Sequence, residues 1–116
     1  MSLLKVLEKK TYLTFGLGDE IFAVNVQQVH EVLDFKTITK IPGAPDIMRG
    51  IINLRGHVVP VVDMRLKFGM TETEKTLSTC IIVMDVGTGE HKTMIGALAD
   101  SVKEVFEFEP GQIEPP

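Results

Sequence analysis

Four side chains of types that commonly do chemistry decide which reactions this chain could support. They are one cysteine, Cys80, and three histidines, His30, His57 and His91. No histidine falls in an H-x-H or H-E-x-x-H pattern, and a single cysteine offers neither a pair of thiolate ligands nor a disulfide. The spacing therefore predicts no metal site and no cofactor. A small hydrolase with Cys80 as nucleophile and His57 or His91 as base stays open as an alternative, because distant residues can meet in a fold.

Cys80 itself stands at the start of an apolar run at residues 81–83. A buried thiol is the usual occupant of such a position, whereas an activated nucleophile needs an exposed and positively charged setting. Glycine pairs at residues 16–18 and 87–89 superficially resemble phosphate loops, but neither continues as G-x-G-x-x-G or G-x-x-x-x-G-K-[ST]. We therefore expect a core cysteine and two hairpin turns.

Three carboxylates, Asp46, Asp63 and Asp85, stand near predicted strand ends and turns. Aspartate at such positions commonly caps or solvates the backbone. Their spacing identifies no general acid–base pair, so we expect no catalytic site.

The composition of the 116-residue chain fits one compact domain with protein partners. Hydrophobic residues make up 44% and charged residues 24%, which is enough apolar material for a core. The net charge of -4 does not supply the basic face that nucleic-acid binding needs. No apolar run approaches the roughly 20 residues that cross a bilayer, and a single cysteine suits a reducing compartment. We expect a cytoplasmic protein that neither binds nucleic acid nor inserts into a membrane.

The elements that would position these residues are short strands. Period-two alternation predicts three β-hairpins, at residues 13–17 with 21–24, 51–54 with 58–62, and 79–86 with 93–99. Short helical turns are expected at residues 3–7, 26–29 and 64–68, and an edge or bulge at Pro60, which lacks an amide proton. Many short strands without a long helix indicate an all-β barrel or sandwich.

A short internal repeat also stands out. Residues 29–35 (VHEVLDF) reappear as residues 102–108 (VKEVFEF), a spacing of 102 − 29 = 73. Either strands share residue types by chance, or two similar small barrels occupy one chain. In the second case, residues 50–56 have no counterpart after the second copy, so we expect strands around residues 79–86 and 93–105 to lack neighbours. The chain would then self-associate, unless residues 3–7 cover the gap.

Residues 49–65 (RGIINLRGHVVPVVDMR) resemble the most characteristic motif of the CheW-like family, G-x-x-N-L-R-G-x-x-V-P-V-x-D-L-R. Agreement extends from Tyr12 to Val105. The resemblance implies a single domain, residues 1–116, built of two intertwined SH3-like five-stranded barrels with short helical turns. The first would take roughly residues 11–68, and the second roughly residues 77–116 plus the N-terminal segment. Family members continue with a further hairpin and helix, so an incomplete second barrel is expected.

The resemblance also implies a function, that of a non-catalytic chemotaxis adaptor in the cytoplasm. Such an adaptor couples chemoreceptor tips to the regulatory domain of a histidine kinase and joins membrane-associated receptor arrays. A related interpretation is the input domain of a fusion adaptor that carries a receiver domain. Positions that the family associates with receptor binding or its support are Val29, Glu31, Val32, Arg49, Gly50, Arg55 and Gly56. The kinase-facing residues are not assigned.

Arg55 stands at a predicted hairpin tip beside Gly56, among β-branched strands. Its guanidinium needs either water or a carboxylate, and the spacing alone leaves both open. The family resemblance favours Glu31 as partner. We therefore predict a salt bridge between Glu31 and Arg55.

Overall fold

The computed structural model describes residues 10–87 and 89–108, and the expected helical turn at residues 3–7 lies outside them. The described residues form eight strands: β1 (Lys10–Leu17), β2 (Glu20–Asn25), β3 (Val29–Asp34), β4 (Met48–Leu54), β5 (His57–Asp63), β6 (Cys80–Val86), β7 (Thr93–Ala99) and β8 (Ser101–Phe108). A helical turn, α1 (Met64–Lys67), follows β5, and short 3-10 helices span Val26–Gln28 and Gly89–His91. The chain is mostly β, and the three predicted hairpins and the turns near residues 26–29 and 64–68 are confirmed. This described part contains no helix with the length and apolar character needed to span a bilayer.

The strands form two sheets, one of three strands in the order β2-β1-β8 and one of five in the order β3-β6-β7-β5-β4. Neighbours are antiparallel except β5 and β7, where residues 61–63 run parallel to residues 96–98. Pro60 pairs with Ile51 of β4 but lies just before the β7 ladder begins. The β5–β7 pairing therefore loses no hydrogen bond through the N–H that proline lacks. On the side facing β7, Pro60 has no paired residue, and this is the local edge that the sequence predicted.

β6 contributes to two separate hydrophobic clusters. The first cluster consists of Leu13, Phe15, Leu17, Cys80, Ile82, Met84, Ala97 and Ala99. The second consists of Ile52, Leu54, Val59, Val61, Ile81, Val83 and Leu98. Successive side chains of a strand point to opposite faces, so alternate β6 residues serve each cluster in turn. Residues 80–84 are all buried for this reason, and each large apolar side chain there contributes about 1.5–3 kcal/mol by burial.

The two edges of the five-stranded sheet approach each other. Thr39, in the connection that follows β3, exchanges two backbone hydrogen bonds of 2.9 Å with Ile51 of β4. β3 and β4 are the opposite edge strands of this sheet. The sheet therefore curls until its ends meet, and the second hydrophobic cluster lies inside the curl.

The repeat seen in the sequence is a structural repeat. Val29 pairs with Met84 of β6, and its counterpart Val102 pairs with Phe15 of β1. Both β3 and β8 then shift register directly after this residue. The partner strand β6 follows β1 at a spacing of 84 − 15 = 69 residues, and β7 follows β2 at a spacing of 97 − 24 = 73 residues. The second spacing is larger because the β6–β7 turn is longer than the β1–β2 turn. Matching pairs and matching bulges confirm that the repeat is not a chance likeness of two strands.

The expectation that strands at residues 79–86 and 93–105 lack neighbours is wrong for β6 and β7. Each has a strand on both sides, because β3 crosses to β6 and β5 adds to β7. The strands with a described neighbour on only one side in the smaller sheet are β2 and β8. The sequence pattern located the repeat correctly. It did not show that the third strand of each copy, β3 or β8, is exchanged and pairs with a strand of the other copy.

Candidate functional site

The tip of the β4–β5 hairpin is a two-residue turn made by Arg55 and Gly56. Both residues have positive φ, +50° and +85°, which is typical of the type I′ turn that fits the twist of a hairpin. The side-chain oxygen of Asn53 accepts a 3.0 Å hydrogen bond from the Gly56 N–H. The turn therefore fixes the backbone from which the Arg55 side chain extends.

Arg55 donates from Nη2 to the Oε1 atom of Glu31 on β3, so the predicted salt bridge is confirmed. The arginine side chain is 70% exposed and the glutamate 27%. The hydrogen bond to Glu31, and then its negative charge, raise the pKa of Arg55 above its ordinary value. The pair holds the hairpin tip against an edge strand while leaving much of the guanidinium in water.

β3 presents the other predicted side chains of this end on its two faces. Val29 is partly buried against the first hydrophobic cluster. Val32 is 42% exposed and points to the opposite face from Glu31, because strand side chains alternate. We call Val29, Glu31, Val32, Arg55 and Gly56 the tip group. They share one end of the curled sheet but do not form a single flat face.

Arg49 and Gly50, at the start of β4, lie away from the tip group. Arg49 stands six positions before Arg55, which is about 20 Å along a strand at roughly 3.3 Å per residue. A Cβ on Gly50 would lie 2.1 Å from the Thr39 carbonyl oxygen, and the residue has φ +145°. Gly50 is thus required by the close approach of the two sheet edges. We call Arg49 and Gly50 the base group.

Arg49 is bound into a network around Asp63. Its Nη1 atom donates to the Asp63 Oδ2 at 3.0 Å and to the Thr73 carbonyl oxygen at 3.2 Å, and it lies 3.3 Å from Glu72. Only a quarter of the arginine side chain is exposed. The guanidinium therefore joins the loop after α1 to β5, which is a structural role within this chain.

Asp63 is a fully buried carboxylate with a complete set of donors. It accepts from the hydroxyl of Thr73 at 2.7 Å and from the Thr73 N–H at 3.0 Å. It also caps α1 by accepting from the N–H groups of Arg65 and Leu66. Burial alone would raise the pKa of Asp63, but the bonds from Thr73, Arg49 and the Leu66 N–H together hold it below its ordinary value. The expected capping role of Asp63 is confirmed, whereas the Thr73 and Arg49 contacts gave no sequence signal.

The residues of the hydrolase alternative do not form a reactive site. Cys80 is buried, and burial, followed by the charges of Asp34 and Asp100, raises the pKa of its thiol. A buried thiol with a raised pKa does not supply the thiolate that a nucleophile needs. His57 and His91 are exposed. The burial of Cys80 removes the nucleophile on which that alternative depended.

One further contact was not foreseen from the sequence. His30 on β3 lies 2.8 Å from the Oδ2 atom of Asp85 on β6, at the surface. A polar cleft of about 820 Å³ lies elsewhere, between the loop after α1 and the start of β8. Neither Cys80 nor any histidine lines it. Each of these features joins residues far apart in the chain, where spacing carries no information.

Comparison with known proteins gives a consistent answer. Residues 11–116 match the family model described as a CheW-like domain. The chain is 35% identical to the chemotaxis protein CheW of Rhizobium meliloti over 103 residues, 89% of this chain and 64% of that protein. It is 32% identical to that of Klebsiella aerogenes over 104 residues, 90% of this chain and 60% of that protein. The chain thus spans less than two thirds of the length of these relatives.

A solved structure is similar over nearly the whole chain. It is the crystal structure of the scaffolding protein TtCheW from Thermoanaerobacter tengcongensis, with a TM-score of 0.86 and 35% sequence identity. The match covers 94% of this chain and 72% of that one. The arrangement of two β-sheets described above is therefore one that a known scaffolding protein shares.

Proposed function

This chain belongs to the CheW-like domain family, and from that premise we propose that it is a cytoplasmic, non-catalytic chemotaxis adaptor that couples chemoreceptor tips to the regulatory domain of a histidine kinase. The observation that carries the proposal is the match of the family model to residues 11–116. Two further observations support it: the relatives are named chemotaxis proteins, and the similar solved structure is that of a scaffolding protein. An adaptor of this kind works through surfaces, and recruitment to receptor arrays follows from binding the receptor.

The tip group is our proposed receptor-binding surface. Its exposed guanidinium offers a cation to a receptor helix, and Val32 offers an exposed apolar side chain on the opposite face of β3. Glu31 orients Arg55, and the positive-φ turn at Gly56 supports it. The base group acts differently, because Arg49 and Gly50 hold the hairpin in place from within the fold. Of the seven predicted positions, five would then contact the receptor or shape the contact surface, and two would be structural.

We further propose that the two sheets correspond to two SH3-like barrels that exchange strands. One of the two barrels is supported by the curled five-stranded sheet, which surrounds the second hydrophobic cluster. The exchange of β3 and β8 between the repeated halves supports the intertwining. The division into roughly residues 11–68, and 77–116 plus the N-terminal segment, stays a prediction, and the kinase-facing residues stay unassigned.

Binding measurements with isolated partners test the adaptor function. The 116-residue chain is immobilised and exposed in turn to a chemoreceptor cytoplasmic-tip fragment and to a kinase regulatory domain. Specific, saturable binding of both is expected. Arg55→Ala should weaken receptor binding and leave kinase binding unchanged, whereas Lys67→Ala, which removes an exposed cation beyond the opposite end of β5, should change receptor binding little. Absence of binding to both partners by a folded chain would refute the proposal.

A further inference from the structure

α1 and the three residues after it connect the two sheets. α1 follows directly from β5 of the five-stranded sheet. Its first residue, Met64, and Met70 beyond its end both pack against the first hydrophobic cluster. Phe68 stacks on Phe22 of β2, with ring centroids 4.9 Å apart and an angle of 3° between the rings. This segment therefore continues one sheet along the chain and packs against the other.

A charged contact makes the same connection beside the rings. Arg65 donates from Nη1 to the Oδ2 atom of Asp100 at 3.0 Å and from Nη2 to the hydroxyl of Thr71 at 3.1 Å. The same Oδ2 atom accepts a 2.7 Å hydrogen bond from the Gly18 N–H in the β1–β2 turn. The Asp100 N–H donates to the Gly16 carbonyl oxygen at 3.0 Å. One carboxylate thus holds both the arginine and the turn.

The backbone of Arg65 is held by a second carboxylate. Its N–H donates to the Oδ1 atom of Asp63 at 3.0 Å. Asp63 also accepts from Arg49 and from Thr73. The side chain and the backbone of one residue therefore contact two different carboxylates. Together these contacts form a continuous path of hydrogen bonds from the Gly18 turn to the base of the β4–β5 hairpin.

Burial makes this path sensitive to the loss of a member. The Arg65 side chain is 22% exposed and that of Asp100 is 27% exposed. When one partner is removed from a mostly buried ion pair, the remaining charge is left without compensation. The guanidinium of Arg65 would then move toward water. A change at Asp100 is therefore expected to shift Arg65 as well as to free the β1–β2 turn.

We propose that Arg65 is a coupling residue, through which the β1–β2 turn and the base of the β4–β5 hairpin change position together. α1 is a single turn, so a guanidinium that leaves Asp100 displaces the Arg65 N–H that Asp63 accepts. A displaced Asp63 holds Arg49 less firmly at the start of β4. The effect also runs in reverse, because energetic coupling between two sites is reciprocal. A partner that binds the β1–β2 turn thereby alters the hairpin that carries Arg55. The proposal does not depend on the proposed adaptor function.

Solvent exchange of single amides, measured by NMR, tests the coupling in both directions. Asp100→Asn should speed exchange of the Thr73 N–H about tenfold more than exchange of the Ile82 N–H in β6, which reports global unfolding. Thr73→Val should likewise speed exchange of the Gly18 N–H, which bonds to the other carboxylate. Asp19→Asn, at an exposed position in the same turn, is the matched control and should leave the Thr73 exchange rate unchanged.

Urea unfolding of the double variant Asp100→Asn, Thr73→Val gives a second measure. Effects at independent sites combine to within about twofold in the equilibrium constant of unfolding. The double variant should instead be less destabilised than the combined single effects by about threefold or more, because either change already interrupts the path. Arg65→Lys, which keeps the charge but cannot contact both Asp100 and Thr71, replaces Asp100→Asn in both tests if that variant does not fold. Additive effects, or a Thr73 N–H that exchanges no faster relative to Ile82 than in the wild type, would overturn the proposal.

Discussion

Thr73 donates two hydrogen bonds to Asp63, one from its hydroxyl at 2.7 Å and one from its backbone N–H at 3.0 Å. Both residues are buried. Asp63 ends β5 and caps α1, so this contact ties the loop after α1 to the strand that carries the hairpin motif of residues 49–65. The β5 end, α1 and the loop after α1 are therefore held together by hydrogen bonds to one buried carboxylate, that of Asp63.

Asp63→Asn should destabilise the fold by about 2–4 kcal/mol. The amide keeps the shape of the carboxylate, but it loses the charge opposite Arg49 and cannot accept from all the present donors. Urea unfolding measures the change. Asp46→Asn, at an exposed position in the β3–β4 connection, is the control and should change stability little. Equal stability of the two variants would show that the buried network contributes nothing net.

The same carboxylate gives stability a dependence on pH. The pKa of Asp63 is lowered in the folded state, so its ionised form is favoured by folding. The resulting stability is fully present above the unfolded value of about 3.9 and is lost as pH falls from there through the folded-state pKa. Unfolding curves at several acidic pH values should show a steeper loss in the wild type than in Asp63→Asn. Parallel curves would contradict the assignment.

Gly50→Ala should destabilise the protein by at least about 3 kcal/mol or prevent folding. Its Cβ would meet the Thr39 carbonyl at 2.1 Å, so the two edges of the five-stranded sheet would have to separate. Gly43→Ala is a matched control, because Gly43 also has positive φ, +81°, but has open space around its Cβ. Thermal unfolding separates the two effects. A mild, equal cost at both positions would mean that the strain is only conformational.

Exchanging the charges of the Glu31–Arg55 pair separates structure from recognition. The double variant Glu31→Arg, Arg55→Glu keeps an ion pair at the surface, so the unfolding midpoint should stay close to that of the wild type. Receptor-tip binding should nevertheless fall, because the exposed cation has moved to β3. Titration calorimetry with the receptor fragment measures the loss. Unchanged receptor binding by the double variant would show that the ion pair stabilises the hairpin tip and that the position of the cation does not matter for recognition.

Cys80 should react with thiol reagents far more slowly in the folded protein than after unfolding. Its thiol is buried, and burial raises its pKa, so the thiolate is scarce at neutral pH. Leu77→Cys, at a fully exposed loop position, provides an internal standard within the same protein. Equal rates at the two thiols in the folded state would contradict the burial of Cys80.

Much of this architecture could be predicted from alternation and turn residues. Hairpins around residues 18–19 and 55–56 have strong local signals, and the Glu31–Arg55 pair followed from the family motif. The parallel pairing of β5 with β7 could not be predicted, because period-two patterns identify strands and not their neighbours. The sequence pattern also does not predict the His30–Asp85 contact or the Asp63–Thr73 contact. His30 and Asp85 meet because β3 crosses to β6 in the other half, whereas Asp63 and Thr73 meet through the folding of the loop after α1.

The sharing of β6 between two hydrophobic clusters has a mechanical consequence. Opening either cluster would expose one face of the strand on which the other cluster depends, so the two halves cannot melt independently. We expect the slowest amide exchange in β6 and its neighbours, with one common opening free energy for both halves. A body of this kind does not flex at a hinge between two lobes. We therefore expect a force applied at the Arg55 end to reach the first hydrophobic cluster through β6, which both clusters share.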